Sequence, residues 1–441
     1  MSTAATSVHL PSDEALMKKI GWKILPFLMV LYFVAYIDRV NIAFASLQMN
    51  ADVGLSSVTY GFGASMFFVS YFLFEVPSNY ILSKVGARWW IARIMISWGI
   101  VSAGMMFVRS ETAFYVLRFL LGMAEAGFFP GIVVYLSGWF TASFRGRVTG
   151  IFLVAIPASG LIGSPISGLI LDHMNGIAGL RGWRWLFLLE GAPAIILGLV
   201  CLWWLRDKPA EVSWLTPDEK SRMECLLASE RRGVEAVAHY RLSAAFTNFG
   251  VLLLAGVLFC IVFGATGIAF FLPQIIKSFG YSNTVVGFLS AVPYFTGVVT
   301  MVLWARRSDA KRERVWHMSA AMLFGTVGFI VLACLLSVHL AAMIGLCAAA
   351  MGVYASNVVL WTLPAEYMVG TTAAVAIGVI NSVANLSGIV APPLLGWSRQ
   401  VTGNFAATGW IFASFLGLGM ILTFLFTRTS MYRSARSARK V

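Results

Sequence analysis

Four ionisable residues stand inside stretches that are otherwise apolar. Asp38 and Arg39 lie in the run from Ile24 to Leu47, and Arg118 and Glu125 lie between positions 112 and 139. At about 1.5 Å of rise per residue, either run is long enough to cross a hydrocarbon core of ~30 Å. A charge placed there costs roughly 2.5–3.5 kcal/mol, so such residues are usually paired and face a cavity. A pair that only ties two helices together is the competing reading. Uncharged residues make that contact at lower cost, which disfavours it.

Spacing orders these residues. Seven positions is close to two helical turns, so Arg118 and Glu125 share one face. Tyr32, Tyr36 and Arg39 form a stripe at i, i+4, i+7, and Tyr71, Glu75 and Asn79 form another with Tyr71 near mid-span. Counted as ionised, Asp38 and Glu125 balance Arg39 and Arg118. An entering monovalent anion leaves one negative charge in excess, and a proton on Asp38 or Glu125 restores the balance. Because linkage is reciprocal, a bound proton tightens the anion by the same factor. The set is therefore suited to coupling an anion to protons. On that count Asp38 and Glu125 are expected to handle protons, Arg39 to anchor the anion, and Arg118 to steady the acids and share that anchoring. His9, His173, His239, His317 and His339 all fall in loops or at span ends and read as surface residues. Glu75 and Glu190 also sit in spans, where a packing or gating role competes evenly with proton transfer.

The elements that position these residues follow from composition. The chain has 441 residues, 59% hydrophobic and 12% charged. Soluble domains do not hide that much apolar surface, so an all-α polytopic membrane protein is expected. Twelve spans are read near 24–47, 58–82, 88–108, 112–139, 148–171, 184–205, 247–273, 284–304, 315–337, 340–363, 372–396 and 407–427. They divide into a segment 1–23, a six-helix bundle 24–205, a linker 206–246, a second bundle 247–427 and a basic tail 428–441, with a cavity between the bundles. Within the linker, Thr216-Pro217-Asp218-Glu219 reads as a capping box with proline at the first helical position, and a short helix is expected to about Arg232. Gly160, Ser164 and Gly168 in span five, and Ala374, Gly378 and Ser382 in span eleven, are small-residue stripes expected where moving halves pack.

Charge sets the orientation. Of 32 Lys and Arg, only Arg109, Arg181, Arg184, Lys277 and Arg399 fall on the face opposite the linker, and Arg39 and Arg118 lie deep inside spans. The remainder flank spans on the linker side, which places both termini in the cytoplasm. The net charge of +13 is thereby explained without nucleic acid. The five cysteines show no CxxC spacing, so neither a metal nor a disulfide is expected. No lysine follows a glycine, which excludes a phosphate-binding loop of the G-x-x-x-x-G-K-[ST] type. No cofactor motif or nucleophile–base pair is found, so the chain is not expected to be an enzyme.

Several motifs carry a resemblance. The segments Asn79 to Arg88 and Ala305 to Asp309 with Arg314 follow spans two and eight. Both are similar, in degenerate form, to the basic G-x-x-x-D-[RK]-x-G-[RK]-[RK] loop of the major facilitator superfamily. The first copy has Ser83 where the aspartate belongs. Asp38 to Ala43, Glu75 to Asn79, Arg118 to Gly131, Gly182 to Gly191 and Leu272 to Lys277 closely resemble the anion:cation symporters of that superfamily. The resemblance implies twelve spans in two bundles and proton-coupled uptake of a small organic anion, such as a sugar acid, tartrate, phthalate or hydroxyphenylacetate. It also implies proton coupling through Asp38 and Glu125, with substrate contacts from Arg39, Arg118, Tyr36, Tyr71 and Asn385, and Trp361 as an even candidate. Ala155-Ile156-Pro157-Ala158 in span five offers no polar contact, in keeping with a less hydroxylated anion. A monomer in the inner membrane is expected. An anion exchanger or uniporter of the same fold is the nearest alternative, followed by a non-transporting membrane sensor.

Overall fold

A computed structural model of the chain describes residues 13–235, 248–363, 371–429 and 432–433. His9, His239 and the tail beyond 433 lie outside the described residues. In lipid only a helix satisfies its own backbone, and every long apolar run is helical. The first half contains α1 (Asp13–Val53), α2 (Ser57–Val85), α3 (Ala87–Gly104), α4 (Glu111–Glu125), α5 (Phe128–Ser137), α6 (Ala142–His173) and α7 (Gly182–Trp204). The linker holds α8 (Pro217–Glu235). The second half contains α9 (Phe249–Lys277), α10 (Asn283–Lys311), α11 (Val315–Cys334), α12 (His339–Leu360), α13 (Thr371–Asn385), α14 (Ser387–Thr402) and α15 (Ala406–Phe426). Among the described residues, twelve stretches are long and apolar enough to cross a membrane, with α4–α5 and α13–α14 each making one broken span.

The two halves repeat one packing scheme. In the first, α1 lies on α6, α2 on α4, and α3 on α7. In the second, α9 lies on α13, α10 on α12, and α11 on α15, which are the same span pairs shifted by six. The contacts between halves obey the same shift: α6 meets α10, and α14 meets α2.

These inter-half seams are drawn tight at the end remote from the linker. Asp172, one residue from the end of α6, accepts from the Asn283 side chain (2.7 Å) and the Thr284 amide (2.7 Å) at the start of α10. The Val58 amide donates to Gln400 at 3.2 Å, and the Tyr60 hydroxyl donates to the Phe270 carbonyl at 3.1 Å. Gly168 lets α6 run against Gly287, since a Cβ on Gly168 would sit 2.9 Å from the Gly287 Cα. The stripe Gly160–Ser164–Gly168 is thus an inter-half seam, as expected.

The stripe expected in span eleven is not one at its two members whose surroundings are described, Gly378 and Ser382. Gly378 has no atom near its missing Cβ, and Ser382 is exposed. The small residues that let this span approach α2 lie after the break. A Cβ on Gly388 would enter the Phe68 ring, and one on Gly396 would enter the Ser57 carbonyl. The physical reason is the interruption at Leu386, before which α13 stands off from α2 and after which α14 packs on it.

Candidate functional site

Adjacent residues on a helix point about 100° apart, so Asp38 and Arg39 face different neighbours. Asp38 is turned into the first half and is 1% exposed. Its carboxylate accepts from Trp98 Nε1 at 2.5 Å, from the Ser102 hydroxyl and from Asn41 Nδ2 at 2.9 Å. Arg39 instead reaches across to α4, where one guanidinium nitrogen pairs with Glu125 Oε1. The two partners differ in access: the Arg39 side chain is 23% exposed and that of Glu125 only 1%. Three aromatic faces surround the guanidinium, with Tyr36 at 5.0 Å, Phe67 at 5.3 Å and Tyr71 at 5.6 Å, a geometry that favours a cation.

Arg118 is buried two turns before Glu125, as the spacing requires. It donates weakly to the Ala64 carbonyl at 3.4 Å and lies over Phe67 at 5.0 Å, so both guanidinium groups lie against the same phenyl ring. The enclosed atoms Arg39 Nε, Arg118 Nε and Glu125 Oε2 have no hydrogen-bond partner among the described residues. Buried polar atoms of this kind are uncommon and mark places where a ligand or water completes the set.

Local backbone chemistry puts Glu125 at the end of its helix. The Ala126 amide closes on the Gly122 carbonyl, and Gly127 then turns left-handed at φ +85° before α5 begins. Ser78 of α2 donates to the Ala126 carbonyl at 2.6 Å and is itself held by Trp90 Nε1 at 2.9 Å. Any Cβ at Gly127 would collide with Ser78, so this position requires glycine for both conformation and space. A helix C-terminus carries partial negative charge, which adds to the attraction between this end of α4 and Arg39.

The sequence profile of the Major Facilitator Superfamily matches residues 28–392 and 254–440. The chain belongs to the major facilitator superfamily. A putative tartrate transporter of Agrobacterium vitis is 48% identical over 418 residues, covering 95% of this chain and 92% of that one. The putative metabolite transport protein NicT of Pseudomonas putida is 41% identical over 424 residues, covering 95% and 96%. Among solved structures, a partially occluded inward-open form of the Escherichia coli xylose transporter XylE superposes with a TM-score of 0.72 at 14% identity, covering 92% of this chain and 98% of that one. The protein is a multi-pass transporter of this superfamily and not an enzyme.

In a major facilitator transporter the two halves face one another across the middle, and the remaining expected residues distribute accordingly. Tyr36 shares a 3.5 Å hydroxyl contact with Tyr32, and Tyr71 is 9% exposed beside Arg39. Glu75 is half-buried within electrostatic reach of Arg39. Asn385 is half-buried at the last turn of α13, and Trp361 is turned back onto its own helix by a 3.1 Å bond to Asn357. Neither is bonded to the Arg39 group among the described residues. Glu190 is buried and accepts from Ser167 at 2.7 Å. His173 and His339 stand at helix ends, and His317 is in the first turn of α11.

Sequence reasoning missed Trp98 and Ser102, which stand at i, i+4 on α3 and enclose Asp38. It also missed Tyr294 and Tyr354 in the second half, whose rings are 6.4 Å apart. Tyr294 packs on Gly160, and Tyr354 lies within electrostatic reach of Tyr36. A polar stripe of Tyr354, Asn357 and Trp361 at i, i+3, i+7 is the signal that marks that face of α12.

Proposed function

We propose that the protein takes up a small organic carboxylate together with protons across the inner membrane, by alternating access. Both termini are cytoplasmic in this reading, with 24–205 and 247–427 as the rocking bundles of a monomer. The linker end is then the cytoplasmic side, and the state described is closed to the outside. The observation that carries the proposal is the unequal ion pair: the Arg39 side chain is partly exposed while that of Glu125 is sealed. A substrate carboxylate competes for Arg39. Each displacement of Glu125 leaves a buried, unpaired carboxylate, a state costly enough that the group takes a proton instead. Asp38, with three donors on its carboxylate, is the second acid within range of Arg118. Arg118 supplies compensating charge while either acid is ionised.

The likeness to a putative tartrate transporter supports a small organic acid as the cargo, and the positive charge beside three aromatic faces supports a planar or compact carboxylate. Proteoliposome uptake, with the membrane potential clamped, separates symport from exchange. The wild type is expected to accumulate the anion in response to an inward proton gradient. Glu125→Gln is expected to lose that response while keeping anion-for-anion counterflow. Uptake indifferent to the gradient in the wild type would favour the exchanger or uniporter instead.

A further inference from the structure

A second buried acid adjoins Asp38 from the far side. Glu190 on α7 is 5% exposed, accepts a 2.7 Å hydrogen bond from Ser167 of α6 on Oε1, and has no partner for Oε2 among the described residues. Asn41 of α1, which donates to Asp38 Oδ1, also lies beside the Glu190 carboxyl. The next residue, Gly191, brings α7 onto α3 at the very turn that encloses Asp38. A Cβ there would stand 2.9 Å from the Ala103 amide and 3.3 Å from the Ser102 Cβ.

The two acids are dressed differently. Asp38 has three donors and Arg118 within electrostatic range. Glu190 has the Ser167 hydroxyl as its one well-formed donor, the Asn41 amide beside it, and no ion pair among the described residues. From the packed elements, the groups that face Glu190 are Asp38 and Asn41 of α1 and Ser167 of α6, with Ser102 of α3 behind Asp38. Charge bookkeeping agrees with the geometry. Asp38, Arg39, Arg118 and Glu125 cancel when ionised, so a charged Glu190 would leave one uncompensated negative charge in the core. Two carboxyls that meet over one amide titrate as a pair.

We infer that Glu190 is a proton-holding residue that forms, with Asp38 across Asn41, the far-end station of the proton's route. Glu190 carries its proton on Oε2, and Oε1 is the carbonyl that Ser167 contacts. When Asp38 gives up its own proton toward the linker end, the proton on Glu190 is the neighbouring one that can pass to it, and Glu190 is recharged from the far side. Its position supports that direction. α7 starts at the far end with Gly182, and Glu190 lies in its third turn, beside Asn41, which follows Asp38 toward the far end of α1.

This inference rests on the symport reading, and the test keeps the two apart. Infrared difference spectra of the purified protein at neutral pH should contain a C=O stretch from a neutral carboxylic acid. Glu190→Gln, nearly isosteric, should remove it. Ser167→Ala should keep the band and move it to higher frequency, because the carbonyl loses its donor. In proteoliposomes Glu190→Gln should displace the midpoint of the pH profile of uptake by about one unit, an effect that a merely structural role would not produce. A Ser167-sensitive band that persists in Glu190→Gln overturns the assignment, and an unmoved pH midpoint overturns the coupling to Asp38. If wild-type uptake ignores the proton gradient, the symport reading fails, and the C=O band alone decides for or against Glu190.

Discussion

Arg39 has a planar, five-donor head, and only one of its nitrogens is engaged with Glu125. The remaining donors and the surrounding aromatic faces suit a carboxylate that approaches edge-on. Arg39→Lys keeps the charge but loses the fork and the stacking. It is expected to weaken anion binding about 10–100-fold, read as a thermal-shift titration with L-tartrate or nicotinate as probes. Equal affinity in the lysine variant would remove Arg39 as the anchor. At this scale the sequence was informative about which residues matter and less so about who meets whom. Asp38, Arg39, Arg118 and Glu125 were legible because ionisable residues inside an apolar run stand out. The pairing of Arg39 with Glu125 was not, because it depends on α4 ending at Glu125 and on the distance between two helices. The cage on Asp38 was hidden because tryptophan and serine at i, i+4 on an apolar helix look like packing.

Two local devices hold the helix ends. Thr216 and Glu219 cap α8 reciprocally: the Thr216 amide donates to Glu219 at 2.9 Å, and the Glu219 amide donates to the Thr216 hydroxyl at 3.2 Å. Lys19, on the linker-end extension of α1, then clamps both Glu219 oxygens at 2.9 and 2.7 Å. Burial pushes the Glu219 carboxyl up, but the bonds from Lys19 and Thr216 outweigh it and hold the group below its usual range. A depressed carboxyl stabilises the folded form above the usual carboxylate range, and that contribution drains away as pH falls through the lowered value. Hydrogen-exchange protection of α8 should therefore drop on acidification below pH ~4, and Glu219→Gln should be less protected at neutral pH by roughly 1 kcal/mol and show no such drop. Protection that is the same in both proteins at every pH would refute the clamp. The capping box was legible because its residue types recur at fixed spacing. Its docking onto Lys19, about two hundred positions away, was not. In the first copy of the basic loop, where Ser83 replaces the expected acid, Asp207 supplies one from the segment after α7 and accepts from the Arg88 amide at 2.9 Å. No local pattern announces that substitution. The break in span four was likewise concealed, since Ala126-Gly127 interrupts the helix without interrupting the apolar run.

Across the whole molecule, twelve spans and a duplicated plan were readable from hydropathy and from the repeated basic loop. The paired packing scheme bears the duplication out. The seams between halves were only half readable. A glycine stripe reports close approach when the helix is continuous, as in α6, and misleads where the helix is interrupted, as in span eleven. Those seams, with Asp172 bridging to α10 and the glycines of α6, α10 and α14, close one end of the protein around the charged centre. The central claim is that an anion arriving at Arg39 frees Glu125 to take a proton. The most direct test is to add a carboxylate that the protein binds, chosen by thermal shift, to the purified protein in weak buffer and record proton uptake from the medium. The account predicts that about one proton is taken up per anion bound in the wild type and none in Glu125→Gln. Anion binding without proton uptake in the wild type would contradict it.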